Sequence, residues 1–161
     1  MKPQLLVLFL FISALSNAQS NTTKSAVMRP ITALFTGMNL GDSAMVHSAF
    51  VKDPNMGSIA KDKSGNVVLR KSELTDFLNA VGTPHAEPWS EPIWDAKIDI
   101  DGDFAQVWVK YAFYLGNKFS HCGVDAFHLI KDGTGWKIFH LVDTRQTVDC
   151  EVPPTISNKF K

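Results

Sequence analysis

The sequence predicts an α+β fold, in which helices cover one face of a strongly curved, mainly antiparallel sheet. Residues 27–81 contain three segments whose apolar side chains recur at helical spacing. Residues 93–145 contain four long strand-like segments separated by hairpin turn signals. Helices therefore come first and a meander of strands follows, and this segregation is typical of α+β domains.

The N-terminus has the parts of an export signal. Lys2 supplies a charged start, an apolar run covers residues 5–15, and small residues precede a cut after Ala18. The run is shorter than the roughly 20 residues that a membrane span needs. We therefore predict a signal peptide at residues 1–18 and a periplasmic or secreted protein without a membrane segment after cleavage. The alternative is an apolar N-terminal helix of the fold.

The three predicted helices have recognisable starts. The first begins near Val27 with Pro30 in its first turn, and Asp42 and Ser72 can cap the second and the third. Residues 19–26 are polar and small, which predicts a flexible lead-in. The apolar faces are Ile31, Leu34, Phe35 and Met38 on the first helix, Met45, Val46, Ala49 and Phe50 on the second, and Leu74, Phe77, Leu78 and Val81 on the third.

Turn signals separate the predicted strands. They are Asp101-Gly102, Gly116-Asn117 and the run 132–135. One domain then spans residues 27–150, and residues 151–161 form a C-terminal tail. The long strands cover residues 93–100, 104–115, 118–131 and 136–145, and two short strands cover 55–60 and 67–69.

Composition argues against several classes of partner. The chain has 16 Lys and Arg against 16 Asp and Glu, for a formal net charge of zero. Without a basic run, the electrostatic signature of nucleic-acid binding is missing. The motif Asp99-x-Asp101-x-Asp103 lacks the glycine and the bidentate glutamate of a calcium loop, and the histidines do not have metal-ligand spacing. We predict no metal, no cofactor and no nucleic-acid partner.

The strand at residues 118–131 is the most informative segment for function, because it carries His121 and Asp125. A buried polar group without a partner costs about 1–3 kcal/mol, so these side chains indicate a cavity or a polar network. Simple alternation places both on an outer face with Trp108 opposite Asp125, where a second subunit could cover them. A β-bulge, which Gly123 would permit, would turn both inward. Both arrangements stay open.

Cys122 and Cys150 both follow the predicted cut. An even number of cysteines in an exported protein favours a disulfide. If the last two strands form a tight hairpin, Cys122 lies near residue 145, within reach of Cys150. The alternative is a buried Cys122 beside a free Cys150.

Motifs spread over nearly the whole mature chain resemble one known superfamily. They are Ile31-x-x-Leu34-Phe35-x-Gly37-Met38, Glu91-x-x-Trp94, Ala105-x-Val107-Trp108, Tyr111-x-Phe113-Tyr114, the run from Phe119 to Asp125, Gly135-Trp136-Lys137-Ile138 and Asp143-Thr144-Arg145. Together they resemble the nuclear transport factor 2-like (SnoaL-like) superfamily, and within it an exported bacterial subfamily often labelled "putative lumazine-binding". The resemblance implies a cone, formed by a bent sheet closed by helices around an apolar cavity.

This superfamily includes isomerases, dehydratases and modules that only bind or assemble, so the fold alone does not decide the function. We predict an exported domain that binds a small apolar or aromatic molecule without turning it over, and that forms a homodimer. One alternative is a cofactor-free isomerase or dehydratase that uses His121 and Asp125. Another is a dimerisation module with a vestigial cavity.

The catalytic alternative has a specific chemistry. The Asp125 carboxylate would orient the His121 imidazole and raise its proton affinity, so that it titrates near neutral pH. Tyr111 and Tyr114 could donate hydrogen bonds to an oxyanion. The competing interpretation is that His121 and Asp125 satisfy each other or a neighbouring loop.

The remaining candidate residues suit ligand binding. Arg145 could clamp an anionic ligand, or it could pair with Asp143 or Glu91. The tryptophans could stack on a flat ring or belong to the core or an interface. The predicted ligand-binding residues are Trp94, Trp108, Tyr111, Tyr114 and Arg145.

Overall fold

The computed structural model describes residues 4–161, with side chains from residue 22 onward. The signal peptide predicted at residues 1–18 lies outside the residues whose side chains are described. Within the described part of the chain, no helix is both long and apolar enough to cross a membrane.

Helices and strands follow one another in the predicted order, and the α+β class is confirmed. The helices are α1 (Gln4–Leu40), α2 (Ser43–Ser48), α3 (Leu74–Gly82) and a short C-terminal α4 (Pro154–Ser157), followed by a 3₁₀ turn (Asn158–Phe160). The strands are β1 (Phe50–Lys61), β2 (Val67–Ser72), β3 (Trp89–Ser90), β4 (Ile93–Asp101), β5 (Phe104–Leu115), β6 (Lys118–Asp132) and β7 (Gly135–Thr144).

Two helix starts differ from the prediction. Pro30 lies inside α1 and not in its first turn, because residues 22–26 of the predicted lead-in are already helical. Ser72 is the last residue of β2, and α3 begins two residues later at Leu74. The second start is as predicted: Asp42 caps α2, and its Oδ1 accepts a hydrogen bond from a first-turn backbone N–H at 2.9 Å.

The sheet has the strand order β2-β1-β7-β6-β5-β3, and β4 also pairs with β5. Every pair is antiparallel except β1 with β7, which is parallel. The parallel pair joins the first strand of the chain to the last one. It therefore places side chains from the two halves of the chain next to each other on one concave face.

The core lies between that concave face and the apolar side of α1. Four side chains of α1, each about one turn from the next, are buried there and meet inward side chains of β5, β6 and β7. The principal members are Val27, Ile31, Leu34, Met38, Ala105, Val107, Val109, Phe127, Leu129 and Ile138.

A β-bulge near the β5–β6 hairpin sets the register of the two strands. Tyr114 pairs with Phe119, but Phe113 pairs with His121, so Ser120 is one extra residue on β6. A shift by one residue turns every following side chain of that strand to the opposite face.

His121 and Asp125 consequently lie on the concave face. Val109, and not Trp108, is opposite Asp125. The outer-face placement predicted from simple alternation is wrong, because the pairing is one residue out of step with a tight hairpin. The alternative, in which a β-bulge turns both side chains inward, is correct. The bulge is at Ser120, however, three residues before Gly123.

The C-terminal segment covers part of the outer face of the sheet. Cys122 and Cys150 form a disulfide with a Cα–Cα distance of 5.8 Å, which confirms the predicted pairing. Farther along, Phe160 stacks on Tyr114 with ring centroids 3.8 Å apart. The predicted tail therefore packs against the sheet at this end.

Candidate functional site

A cavity of about 660 Å³ lies between the concave face of the sheet and helices α1 and α3. This volume is within the usual range of small-molecule sites. Its walls are mostly apolar, and polar side chains gather on one side of it. The apolar lining includes Leu34, Phe35, Met38, Met56, Phe77, Trp89, Phe113 and Leu141.

Asp143 is the centre of the polar side. Its Oδ2 accepts hydrogen bonds from the Tyr111 hydroxyl at 3.0 Å and from Arg145 Nε at 2.7 Å. Its Oδ1 accepts one from the hydroxyl of Ser58, which is its neighbour on the parallel strand β1. Both oxygens of this carboxylate are therefore satisfied within the protein.

The Tyr111 hydroxyl is committed to this network. Besides Asp143, it lies 2.9 Å from the backbone carbonyl oxygen of Thr144. Burial and the charge of Asp143 raise the pKa of Tyr111, so the hydroxyl keeps its proton. Its single hydrogen is used by acceptors of the protein and is not free for a ligand oxyanion.

Glu91 and Asp125 form a pair of carboxyl groups beside this network. Asp125 is only 3% exposed, its carboxyl group is close enough to that of Glu91 for the two to share a proton, and its buried Oδ2 has no other hydrogen-bond partner among the described residues. Burial and then the charge of Asp143 raise the pKa of Glu91 to about 8. Burial and then Glu91 also raise the pKa of Asp125 well above its usual range. The pair therefore holds a proton at neutral pH and can donate or accept one.

His121 lines the same cavity but is not bonded to Asp125. Its Nδ1 lies 3.0 Å from Ser120 Oγ, and its ring packs against the rings of Tyr111 and Phe113. Four residues along a strand span about 13 Å, which separates it from Asp125. Burial and then the charge of Arg145 lower the pKa of His121, which favours the neutral imidazole.

Of the predicted ligand-binding residues, the structure brings Tyr111 and Arg145 to the cavity. The other three lie on the outer side of the sheet. Trp94 and Tyr114 pack under the C-terminal segment, and Trp108 is 52% exposed.

Sequence reasoning missed Trp89 and considered Glu91 only as a partner for Arg145. Trp89 lines the cavity and stacks on His85 with ring centroids 4.0 Å apart. Its strand β3 has two residues, so no periodic pattern marks it. Glu91 follows directly after this strand, where nothing in the local sequence indicates burial.

Gly123 is required where β7 passes close to β6. A Cβ at this position would overlap the Thr144 carbonyl oxygen that accepts the hydrogen bond from Tyr111. We expect Gly123→Ala to displace the end of β7 and to lower the free energy of unfolding by about 1–3 kcal/mol, measured by urea unfolding. Gly133→Ala is the control, because a Cβ there meets nothing within 4 Å. Equal unfolding midpoints for the two variants would contradict the close-packing role.

Stability should also fall as the pH rises from 6.5 to 8.5. The pKa of Glu91 increases on folding from 4.5 to about 8, so the folded state binds more protons than the unfolded state between these values. That contribution is fully present below pH 4.5 and is lost as the pH rises through 8. His121 acts in the opposite direction, but only below its ordinary pKa of 6.5.

The pH prediction is checked by urea unfolding at several pH values. The decline should have a slope of at most about 1.4 kcal/mol per pH unit. Glu91→Gln, which is neutral at every pH, should reduce it, and burial of Asp125 should leave a smaller decline of the same sign. If the free energy of unfolding of Glu91→Gln falls with pH as steeply as that of the unchanged protein, the decline does not come from Glu91.

The curved sheet, the covering helices and the cavity between them define a nuclear transport factor 2-like domain. A family model described as "Putative lumazine-binding" matches residues 22–142, and the chain belongs to this family. The resemblance inferred from the sequence is thereby confirmed. No curated protein matches the chain.

Solved structures share the fold at low identity. The β subunit of a "putative aromatic-ring-hydroxylating dioxygenase" from Novosphingobium aromaticivorans has 15% identity and a TM-score of 0.65, over 80% of this chain and 92% of that one. A "putative scytalone dehydratase" from the same organism has 14% identity and a TM-score of 0.64, over 85% and 93%. An NTF2-like protein of unknown function from Shewanella baltica has 17% identity and a TM-score of 0.60, over 77% and 94%.

Proposed function

We propose that this protein is an exported domain that binds a small, largely apolar or aromatic molecule in its cavity. The observation that carries the proposal is an apolar cavity of about 660 Å³ whose polar side holds the neighbouring carboxyl groups of Asp125 and Glu91. A few polar groups on an otherwise apolar wall fix the orientation of a bound ligand, and these carboxyl groups can act in that way. The family description and the Cys122–Cys150 disulfide support binding and export respectively.

Native mass spectrometry of the protein purified from its producing cell tests the proposal. We expect a co-purifying small molecule, which Asp125→Leu should lose and Asp99→Leu should retain. Asp99 is the control because it is an exposed carboxylate on β4 outside the cavity lining. Lumazine, a flat bicyclic heterocycle, is the first molecule to add to protein that arrives empty. Protein that carries no molecule and binds no added aromatic compound would contradict the proposal.

Proton-transfer catalysis is a second candidate. It is favoured by the adjacent carboxyl groups of Glu91 and Asp125, which together retain a proton. Such a pair can remove a proton from one carbon and return it to another, or protonate a departing hydroxyl, as isomerases and dehydratases require. Asp125 stays a catalytic candidate in this alternative, but it would share a proton with Glu91 instead of orienting His121.

The variants Glu91→Gln and His121→Ala separate the two catalytic alternatives. If the carboxyl pair transfers the proton, Glu91→Gln should lower the turnover of the co-purified molecule by about 10²–10⁴-fold. If His121 does, His121→Ala should have that effect. Unchanged turnover in both variants would contradict both catalytic alternatives.

The homodimer stays a proposal. Its support is an apolar patch on the outer face of the sheet, where Phe104, Trp108 and Ile130 are 43%, 52% and 43% exposed. Burying such side chains against a second copy would be favourable.

A further inference from the structure

A row of polar residues crosses the concave face of the sheet from β6 to β2. Asp125 is in register with Asp143, Asp143 with Ser58, and Ser58 with Arg70. Ser58 points to Asp143 in the cavity, and Arg70 shares its face because directly paired residues project on the same side. Neighbouring strands are about 4.8 Å apart, so the row extends roughly 14 Å between the backbones of its two ends.

The middle of this row is fully hydrogen-bonded within the protein, whereas the side chains at its two ends can still form hydrogen bonds to a ligand. Asp143 is bonded to Ser58, Tyr111 and Arg145. At the deep end, Asp125 is paired with Glu91 but has no other hydrogen-bond partner in the described part of the chain, so its carboxyl group can still accept a hydrogen bond. At the rim, Arg70 is exposed and lines the cavity, and the ion pairs of the described residues involve only Lys110 and Arg145 as cations.

We infer that the ligand carries two polar groups joined by an aromatic body: an N–H or O–H donor that binds Asp125, and a carboxylate that pairs with Arg70. This rests on the proposed binding function and specifies the class of ligand. A guanidinium can bind a carboxylate through two parallel hydrogen bonds. The body would lie over Asp143 and Ser58, against the apolar side chains of α1.

The charges of the cavity set the orientation of such a molecule. At the deep end, Asp125 and Glu91 are carboxyl groups that hold a proton between them, and Arg145 is already paired with Asp143, so no unpaired arginine or lysine of the described residues is there to receive an anion. Arg70 is the cation at the opposite end of the row. A carboxylate is therefore favoured at the rim and opposed at the deep end, which selects one direction of binding.

Two matched sets of probes test the inference by titration calorimetry. The parents are 3-(4-hydroxyphenyl)propionate and indole-3-propionate. Each is compared with its uncharged amide and with the derivative methylated on its phenol oxygen or indole nitrogen. We expect at least one parent to bind ten or more times tighter than both of its derivatives.

Two variants and one control assign the effects to residues. Arg70→Gln should weaken that parent about tenfold and leave the amide unchanged. Asp125→Leu should weaken the parent and leave the methylated derivative unchanged. Arg29→Gln is the control, because Arg29 is an exposed arginine outside the lining of this cavity.

The outcomes separate this inference from the proposed function. Derivatives that bind as tightly as their parents would overturn the inference, while their binding would support the cavity as a ligand site. If Arg29→Gln weakens binding of the parent compound as much as Arg70→Gln does, the inference is also overturned, since the effect would then reflect only net charge. If none of the six compounds binds, the inference is overturned, and native mass spectrometry still decides the proposed function.

Discussion

Replacement of Asp143 by alanine is expected to lower the free energy of unfolding by about 3 kcal/mol. Asp143 is 9% exposed and accepts hydrogen bonds from Ser58, Tyr111 and Arg145. Removing one partner of a buried pair costs about 3–5 kcal/mol, because the other partner stays buried without compensation. We expect the lower end of this range, since the Arg145 side chain is half exposed and water can replace part of the interaction.

Urea unfolding of Asp143→Ala and Asp99→Ala measures this effect against a matched control. Asp99 is exposed, and its carboxylate accepts a hydrogen bond from Gln106 at 3.0 Å. Its loss should change the free energy of unfolding by about 0.5 kcal/mol or less. If both variants unfold at the same urea concentration, Asp143 does not hold the network together.

Loss of the Cys122–Cys150 disulfide should cost about 3–4 kcal/mol. The bridge joins residues 28 positions apart, and a closed loop of this length restricts the unfolded chain by roughly that amount. The loop contains Asp143 and Arg145. Backbone hydrogen bonds of 2.9 Å in both directions between Cys122 and Gln146 lie beside the bridge, so reduction should loosen the segment that follows the site.

Urea unfolding with and without dithiothreitol checks the disulfide. Reduction should lower the unfolding midpoint of the unchanged protein. A variant with both Cys122→Ala and Cys150→Ala should already be destabilised and should not respond to the reductant. Identical midpoints for oxidised and reduced protein would contradict the expected contribution.

Local patterns predicted the secondary structure well. The predicted strand at residues 104–115 matches β5, and the other three long strands agree to within one residue at each end. Their boundaries are set by short turns such as Gly102 and Gly116, which both have positive φ angles. Two helix starts differ from the prediction, because Pro30 and Ser72 are compatible with more than one local structure.

The candidate site was predicted only in part. Asp125, His121, Tyr111 and Arg145 were chosen by residue type, and all four line the cavity. The structure does not pair His121 with Asp125, because they are four residues apart along one strand. The extra residue in β6 decides only which face of the sheet both side chains occupy. Glu91 gave no signal as a partner of Asp125, because its burial depends on elements distant in the sequence.

The sequence by itself determined the order of helices and strands, the apolar faces and the family resemblance, because each depends on short-range periodicity or on motifs. Only the tertiary structure decided which side chains meet in the cavity. One bulge at Ser120 reverses the face of β6, and the parallel pairing of β1 with β7 joins Ser58 to Asp143 across 85 positions. Alternation is a property of each strand, whereas register results from packing the whole sheet.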